Sequence, residues 1–262
     1  MSIHQQKYFA LANEQQDVTE VKLCPGQRAG RCSIIRERRA AVKHLYLVRH
    51  GESTQNVGVD KELRIPDHAV PLTPRGWEQA QKAGEFLGLI LMGKAPEDVA
   101  MWVSPYRRTR ETAEVICRYV TPGTIKEDDM LAELQFGIFD GLSDDEAASA
   151  FPAEWARYQN ARRFNGKFYA RKPEGESPFD CAIRQKLFVD TLYRDFARGG
   201  PDSIIIVGHG AALKILRKVI FHYSYEWYET EPNPGNCSIM HIKLDNKGRT
   251  NLDDGFIYGG PV

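Results

Sequence analysis

The sequence has few cysteines, and their arrangement is not typical of a covalent or metal-bound scaffold. Five cysteines occur in 262 residues, and no two of them are spaced as C-x-x-C. An odd number without that spacing argues against a disulfide framework and against a structural zinc site. We therefore expect reduced cysteines, as in a cytoplasmic protein. A Cys24–Cys32 pair across a loop with Pro and Gly is the alternative that the spacing leaves open.

The chain also lacks an excess of charge of either sign. Lys plus Arg and Asp plus Glu each number 35, so the formal net charge is zero. A neutral chain has no general attraction to nucleic acid or to an anionic membrane. Binding of an anion must then depend on a local cluster of cations. The oligomeric state is left open, a homo-oligomer included.

Long apolar runs are absent as well. None approaches the roughly 18 residues that cross a bilayer, and the polar N-terminus lacks the apolar stretch of a signal peptide. We expect a cytoplasmic protein without a membrane partner. Residues 1–42 are rich in Gln, Arg and Glu, which predicts an N-terminal extension followed by one domain over 43–262.

What the sequence does contain is a regular alternation of strand and helix patterns. Short apolar runs of the buried-strand type lie at 45–48, 101–103, 204–207 and 238–244. Helix starts of the Ser/Thr-Pro type lie at 73–74, 104–105 and 177–178. This alternation predicts an α/β fold of three α/β/α layers with a mainly parallel central sheet. Residues 143–172 interrupt it and predict a helical and irregular insert.

Polar residues follow three of the predicted strands. Arg49-His50-Gly51-Glu52 follows the first, Ser104 to Arg108 the second, and Gly208-His209-Gly210 the third. Taken alone, a His after a strand is more often a hydrogen-bonded structural residue than a catalyst, and an Arg early in a helix is usually a solvent-exposed surface charge. Ligands of parallel sheets bind at the carboxyl ends of strands, however, and the coincidence at three strand ends favours one anion-binding site.

Four motifs in this order resemble those of the histidine phosphatase superfamily, the phosphoglycerate mutase-like branch 1. They are LVRHGESTQN at 47–56, SPYRRTRETA at 104–113, LAELQFGIFDG at 131–141 and VGHG at 207–210. FNGKFYARKPEGES is also similar to a plant and fungal subgroup that includes a broad-range acid phosphatase. The resemblance implies the phosphoglycerate mutase-like fold and a phosphomonoesterase whose partner is a phosphorylated small-molecule substrate.

The resemblance implies a role for each matching residue. His50 matches the nucleophile that takes the phosphoryl group, and Arg49, Arg108 and His209 match the catalytic phosphate pocket. The chemistry agrees, because a phosphoryl group in transfer spreads charge over oxygens that fixed cationic donors stabilise. His209 beside a bound dianion would be protonated and donate too. Further substrate-binding positions in the same motifs are Asn56, Gly51 and Gly210.

Glu133 matches the general acid of the family. It would protonate the leaving oxygen and then activate the water that hydrolyses the phosphohistidine. Glu52 and Asp140 are nearby acids that could take this role, and the motif position favours Glu133. The resemblance implies no metal and no other cofactor.

Two positions bear on the choice between hydrolysis and phosphoryl return. Mutases of this family hold a second anion with a Tyr and a Lys, where this chain has Phe136 and Asp144. Loss of a hydroxyl and reversal of a charge both weaken glycerate binding, which favours a phosphatase. The alternatives are a 2,3-bisphosphoglycerate-dependent mutase and a catalytically silent phosphate-binding scaffold. The insert at 143–172 is rich in cations and aromatic residues, which fits either a solvated basic face or a lid over the active site.

Overall fold

The architecture is taken from a computed structural model, which describes residues 43–58, 65–244 and 250–260. Within these residues the strands are β1 (Lys43–Arg49), β2 (Val99–Val103), β3 (Thr124–Glu127), β4 (Ser203–Gly208), β5 (Ile239–Leu244) and β6 (Thr250–Tyr258). The predicted extension at 1–42, with Cys24 and Cys32, lies outside the described residues.

Helices alternate with the first four strands, of which β1, β2 and β4 were predicted. They are α1 (Pro74–Ile90), α2 (Arg107–Ile116), α3 (Asp144–Ala150), α4 (Pro152–Asn165), α5 (Pro178–Ala197), α6 (Gly210–Phe221) and α7 (Tyr225–Thr230). In the described part of the chain, no helix is both long enough and apolar enough to cross a membrane.

One sheet contains all six of these strands, in the order β3-β2-β4-β1-β5-β6. The first four in this order run parallel to one another, whereas β5 is antiparallel to both β1 and β6. Alternate residues of β1 serve two cores: Tyr46 packs with Leu87 of α1, and Leu45 packs with Phe188 of α5. Helices thus cover both faces of a mainly parallel sheet, which confirms the predicted three-layer architecture.

Two of the three predicted helix starts are confirmed, and the third is displaced. Thr73 Oγ1 accepts a hydrogen bond from Gly76 N at the start of α1 (3.0 Å), and Ser177 forms a capping box with Asp180 at α5. The prediction at 104–105 is wrong, because α2 begins only at Arg107. The backbone N–H of Ser104 still donates to the Val207 carbonyl of β4 (3.0 Å), which keeps this residue in the sheet ladder.

The edge strand β3 and the insert add to the predicted core. All four residues of β3 are exposed, so its sequence carries no buried apolar run that would predict a strand. The insert forms α3 and α4, followed by irregular chain. Ala147 and Tyr158 of these helices pack with Phe139, which places the insert against the segment that follows Glu133.

Candidate active site

The sheet order places three polar strand ends next to one another. Strands β2, β4 and β1 are adjacent, and in their register Arg49 lies opposite Gly208 and Val103 opposite Val207. The residues that follow these strands therefore converge. The rings of His50 and His209 lie with their centroids 5.3 Å apart.

The predicted nucleophile His50 is buried and held in one tautomer. Its Nδ1 lies 2.7 Å from the carbonyl oxygen of Gly51. Since a carbonyl only accepts, Nδ1 carries the proton and Nε2 carries the lone pair. Burial, and then the charges of Arg108 and Arg49, hold the pKa of His50 well below its ordinary value. The ring is therefore neutral near pH 7, as a nucleophilic imidazole must be.

Arg108 provides a buried guanidinium in the first turn of α2. Only 2% of its surface is exposed. Its Nη1 donates to the carbonyl oxygen of Asp67 (2.6 Å) and to the Asp67 carboxylate (2.8 Å), and its Nε donates to Nδ1 of His209 (3.3 Å). A permanent positive charge thus lies beside both histidines, and a carboxylate that we did not predict accompanies it.

His209 is fully buried, and both of its ring nitrogens have protein partners. Nδ1 accepts from Arg108, so in a neutral ring Nε2 carries the proton and donates to Ser104 Oγ at 2.7 Å. Burial, followed by the charges of Arg108 and His50, holds the pKa of His209 well below its usual value. Protonation of His209 beside a bound dianion stays a prediction.

Arg49 contributes a second cation to the site. Its Nη1 donates to the carbonyl oxygen of Pro234 at 2.7 Å. Its Nε is buried and has no hydrogen-bond partner among the described residues. A buried N–H without an acceptor is costly to leave unpaired, so it is a donor well suited to a bound anion.

Glu133 is brought to the same site by the N-terminus of α6. Its Oε1 accepts from Ala212 N at 2.9 Å, and its Oε2 accepts from Ala211 N at 3.3 Å, two and three positions after His209. The rival Glu52 instead accepts from Thr73 Oγ1 at 2.8 Å, at the start of α1. The Glu133 carboxylate therefore lies at the strand end that carries His209, and its role as general acid stays a prediction.

Asn56 lies at the rim and is connected to His50 through a residue that we did not predict. The side-chain oxygen of Asn56 accepts from Ser53 N and from Asn236 Nδ2, both at 3.1 Å. Asn236 Nδ2 also lies 3.2 Å from the His50 carbonyl oxygen, to which it donates. The accessory phosphate contact predicted for Asn56 stays a prediction.

The two glycines predicted as substrate-binding positions differ in their surroundings. The Gly51 N–H donates to Thr112 Oγ1 (3.1 Å), and a Cβ on Gly51 would lie 2.4 Å from the Gly76 carbonyl oxygen. This geometry indicates a packing role for Gly51 and leaves its amide already paired. A Cβ on Gly210 would lie 3.5 Å from Arg49 Nε, which places Gly210 beside the guanidinium.

Sequence reasoning missed four residues of this site. Tyr106 belongs to the site because its ring lies edge-on to that of His209, with the centroids 4.9 Å apart. Ser104 and Tyr106 both lie inside the motif at 104–113, close to Arg108, which was a usable signal. Asp67 begins a short 3-10 helix and Asn236 lies in a turn; both stand outside the four motifs, and the sequence around them contains no signal.

Comparison with known proteins gives a consistent assignment. The family model of the histidine phosphatase superfamily (branch 1) matches residues 45–253. The chain is 32% identical over 223 residues to the phosphoglycerate mutase-like protein AT74 of Arabidopsis thaliana, covering 80% of this chain and 67% of that protein. It is 24% identical over 285 residues to the broad-range acid phosphatase DET1 of Saccharomyces cerevisiae, covering 77% and 85%.

Solved structures share the fold at lower identity. A mycobacterial glucosyl-3-phosphoglycerate phosphatase matches with a TM-score of 0.64 at 21% identity, covering 83% of this chain and 99% of that chain. An alpha-ribazole phosphatase from Shigella flexneri matches with a TM-score of 0.62 at 21% identity, covering 84% and 99%. From the family match and these relatives, the chain belongs to the histidine phosphatase superfamily, branch 1.

Proposed function

We propose that the protein is a phosphomonoesterase that hydrolyses a phosphorylated small molecule through a phosphohistidine on His50. The observation that carries this proposal is the neutral, single-tautomer imidazole of His50 beside two arginines. Nucleophile and cations lie together, which phosphoryl transfer requires. The names of two relatives, a broad-range acid phosphatase and a sugar-phosphoglycerate phosphatase, support the same reaction class.

In the proposed first step, Arg49 and Arg108 bind the phosphoryl oxygens of the substrate. Nε2 of His50 attacks phosphorus, the phosphorus–oxygen bond to the leaving group breaks, and Glu133 gives its proton to the departing oxygen. A bound phosphate dianion places negative charge beside Glu133, which favours the protonated form that this step needs. The Gly51 carbonyl keeps the His50 ring oriented while positive charge develops on it.

In the second step, water attacks the phosphohistidine. Glu133, now ionised, takes a proton from that water, the phosphorus–nitrogen bond breaks, and His50 returns to its neutral form. Hydrolysis is favoured over phosphoryl return to a glycerate because the side chain at 136 is a Phe without a hydroxyl. Asp144 lies in the acidic first turn of α3, where a cation would be needed.

The test is release of inorganic phosphate from p-nitrophenyl phosphate in the presence of EDTA. We expect turnover in the wild type and none in His50→Ala. Glu133→Gln should lose about 10²–10⁴-fold in kcat, the usual contribution of a general acid. Glu52→Gln is the matched control and should stay within about threefold of the wild type, since its carboxylate belongs to the start of α1.

Acid-quenched enzyme should contain a phosphoenzyme that is labile in acid and stable in alkali. Circular dichroism of each variant separates loss of chemistry from loss of folding. Full activity of a folded His50→Ala variant, or complete loss of turnover on addition of EDTA, would contradict the proposal.

A further inference from the structure

The side-chain amide of Asn56 is held in one orientation by three donors. Its Oδ1 accepts from Ser53 N at 3.1 Å, from Ser53 Oγ at 3.2 Å and from Asn236 Nδ2 at 3.1 Å. Because a backbone N–H only donates, the Asn56 atom that faces Ser53 N is the amide oxygen. Among residues 43–58, 65–244 and 250–260, no acceptor hydrogen-bonds to the NH₂ group of Asn56.

The contacts of this oxygen matter because Asn56 is exposed at the rim of the candidate site. An exposed side chain is free to change rotamer unless other groups hold it. Here Ser53 and Asn236 decide where the NH₂ group lies. An N–H donor that is already in place when an anion arrives binds the anion without a further loss of side-chain entropy.

Asn236 joins the Asn56 amide to the backbone of the proposed nucleophile. Its Nδ2 donates to the carbonyl oxygen of His50 at 3.2 Å and to Oδ1 of Asn56 at 3.1 Å. An amide NH₂ has two N–H groups, and these two acceptors use both of them. Asn236 therefore has no N–H left for a substrate, and its effect on a bound anion must pass through Asn56.

Asn236 is itself held against the end of β1 by contacts on both sides of it in the chain. On one side, the Pro234 carbonyl oxygen accepts from Arg49 Nη1 at 2.7 Å. On the other side, Cys237 N donates to the carbonyl oxygen of Arg49 at 3.1 Å. Since the backbone next to Asn236 is fixed on β1, its side chain can hold Asn56 at a set distance from His50.

We propose that Asn236 is a positioning residue for phosphate binding. It holds the amide of Asn56 beside His50, with the NH₂ group of Asn56 free to donate to a phosphoryl oxygen. The turn that contains Asn236 thereby takes part in binding the substrate, although it stands outside the four sequence motifs. This inference rests on the proposed function, because it takes a phosphoryl group as the ligand at His50.

The test is a double-variant cycle in which calorimetry measures the binding of inorganic phosphate to the full-length protein. Asn56→Ala and Asn236→Ala should each weaken phosphate binding about three- to tenfold, the effect of one oriented hydrogen bond. The double variant should bind phosphate no more weakly than Asn56→Ala alone, because both changes remove the same contact. Gln81→Ala, which removes an exposed amide of α1, is the control and should leave the affinity unchanged.

A purely structural role of Asn236 gives a different result. If the turn only supports Arg49, Asn236→Ala weakens phosphate binding by the same factor with and without Asn56, and the proposal is overturned. Wild-type affinity in either single variant overturns it too. Circular dichroism shows whether each variant is folded.

Kinetics separate failure of this inference from failure of the proposed function. With p-nitrophenyl phosphate, Asn236→Ala should raise KM by the factor found for phosphate and change kcat less. Calorimetry needs no turnover, so coupling between Asn236 and Asn56 in a protein without hydrolysis would overturn the proposed function and support the positioning role. Hydrolysis through His50 without that coupling would overturn the positioning role alone.

Discussion

The proposed phosphate pocket contains a negative charge of its own. Asp67 accepts from the buried guanidinium of Arg108 through both its carbonyl oxygen and its carboxylate. The contact orients Arg108, since its Nη1 is held at two points. The same contact places the Asp67 carboxylate close to where the dianionic phosphoryl group of a substrate would bind. Asp67 therefore has two opposing effects on substrate binding: it orients Arg108, and its negative charge repels the phosphoryl group.

Asp67→Asn separates the two effects, because the amide oxygen can still accept from Arg108 while the charge is removed. We expect KM for a phosphomonoester to fall about three- to tenfold, the scale of one charge a few ångströms from a dianion in a partly solvated site. kcat should stay within about threefold. Steady-state kinetics give both values. Glu97→Gln, which changes an exposed acid, is the control and should leave KM unchanged. A higher KM in Asp67→Asn would mean that the Asp67 charge is needed to hold Arg108.

At the scale of elements, the segment after Glu133 and the turn at 172–176 meet through glycine. Gly137 has a φ of 59°, and a Cβ there would lie 2.0 Å from the Pro173 carbonyl oxygen. On the other side, a Cβ on Gly175 would lie 2.6 Å from the Gln135 carbonyl oxygen. The two backbones therefore approach closely only because side chains are missing on both sides.

Gly137→Ala should disrupt this contact. We expect the free energy of unfolding to fall by about 2–4 kcal/mol, from the left-handed backbone and the backbone clash together. Gly141→Ala is the matched control, since its φ is 69° and no atom lies within 4 Å of the added Cβ. It should lose only about 1 kcal/mol, the backbone cost alone. Urea denaturation of both variants gives the difference, and equal losses would show that the close approach matters little.

At the scale of the whole molecule, the sheet buries a histidine pair away from the active site. His44 Nδ1 lies 3.0 Å from His241 Nε2, and the His241 ring stacks on Tyr46 at a centroid distance of 4.8 Å. Burial, and then the charge of His241, lower the pKa of His44 to about 4. Burial also lowers the pKa of His241, against the attraction of Asp254. Both rings are therefore neutral in the folded protein.

This burial makes stability depend on pH. Below about pH 6.5 the unfolded chain binds protons at these histidines, whereas folded His44 stays neutral until about pH 4. The free energy of unfolding is therefore full above about pH 6.5 and falls as the pH drops toward 4, by about 2–3 kcal/mol for His44. Urea denaturation across this range should be less pH-dependent in His44→Gln, whereas His68→Gln, at an exposed position, should follow the wild type. Parallel curves for all three proteins would contradict this account.

The sequence by itself determined the backbone plan of the protein and the identity of its strand-end residues. The apolar runs of the strands and the helix caps at Thr73 and Ser177 are local signals, so these elements could be predicted. His50 and His209 could be predicted as well, because each follows a strand within a short motif. Only the tertiary structure decided the partners of these side chains. Arg108 meets Asp67 from 41 positions away, and Ser104 meets His209 from 105 positions away. A local pattern in the sequence indicates periodicity and turn geometry. Contacts between distant segments depend on how the layers of the fold pack against one another, and a local pattern contains no information about that packing.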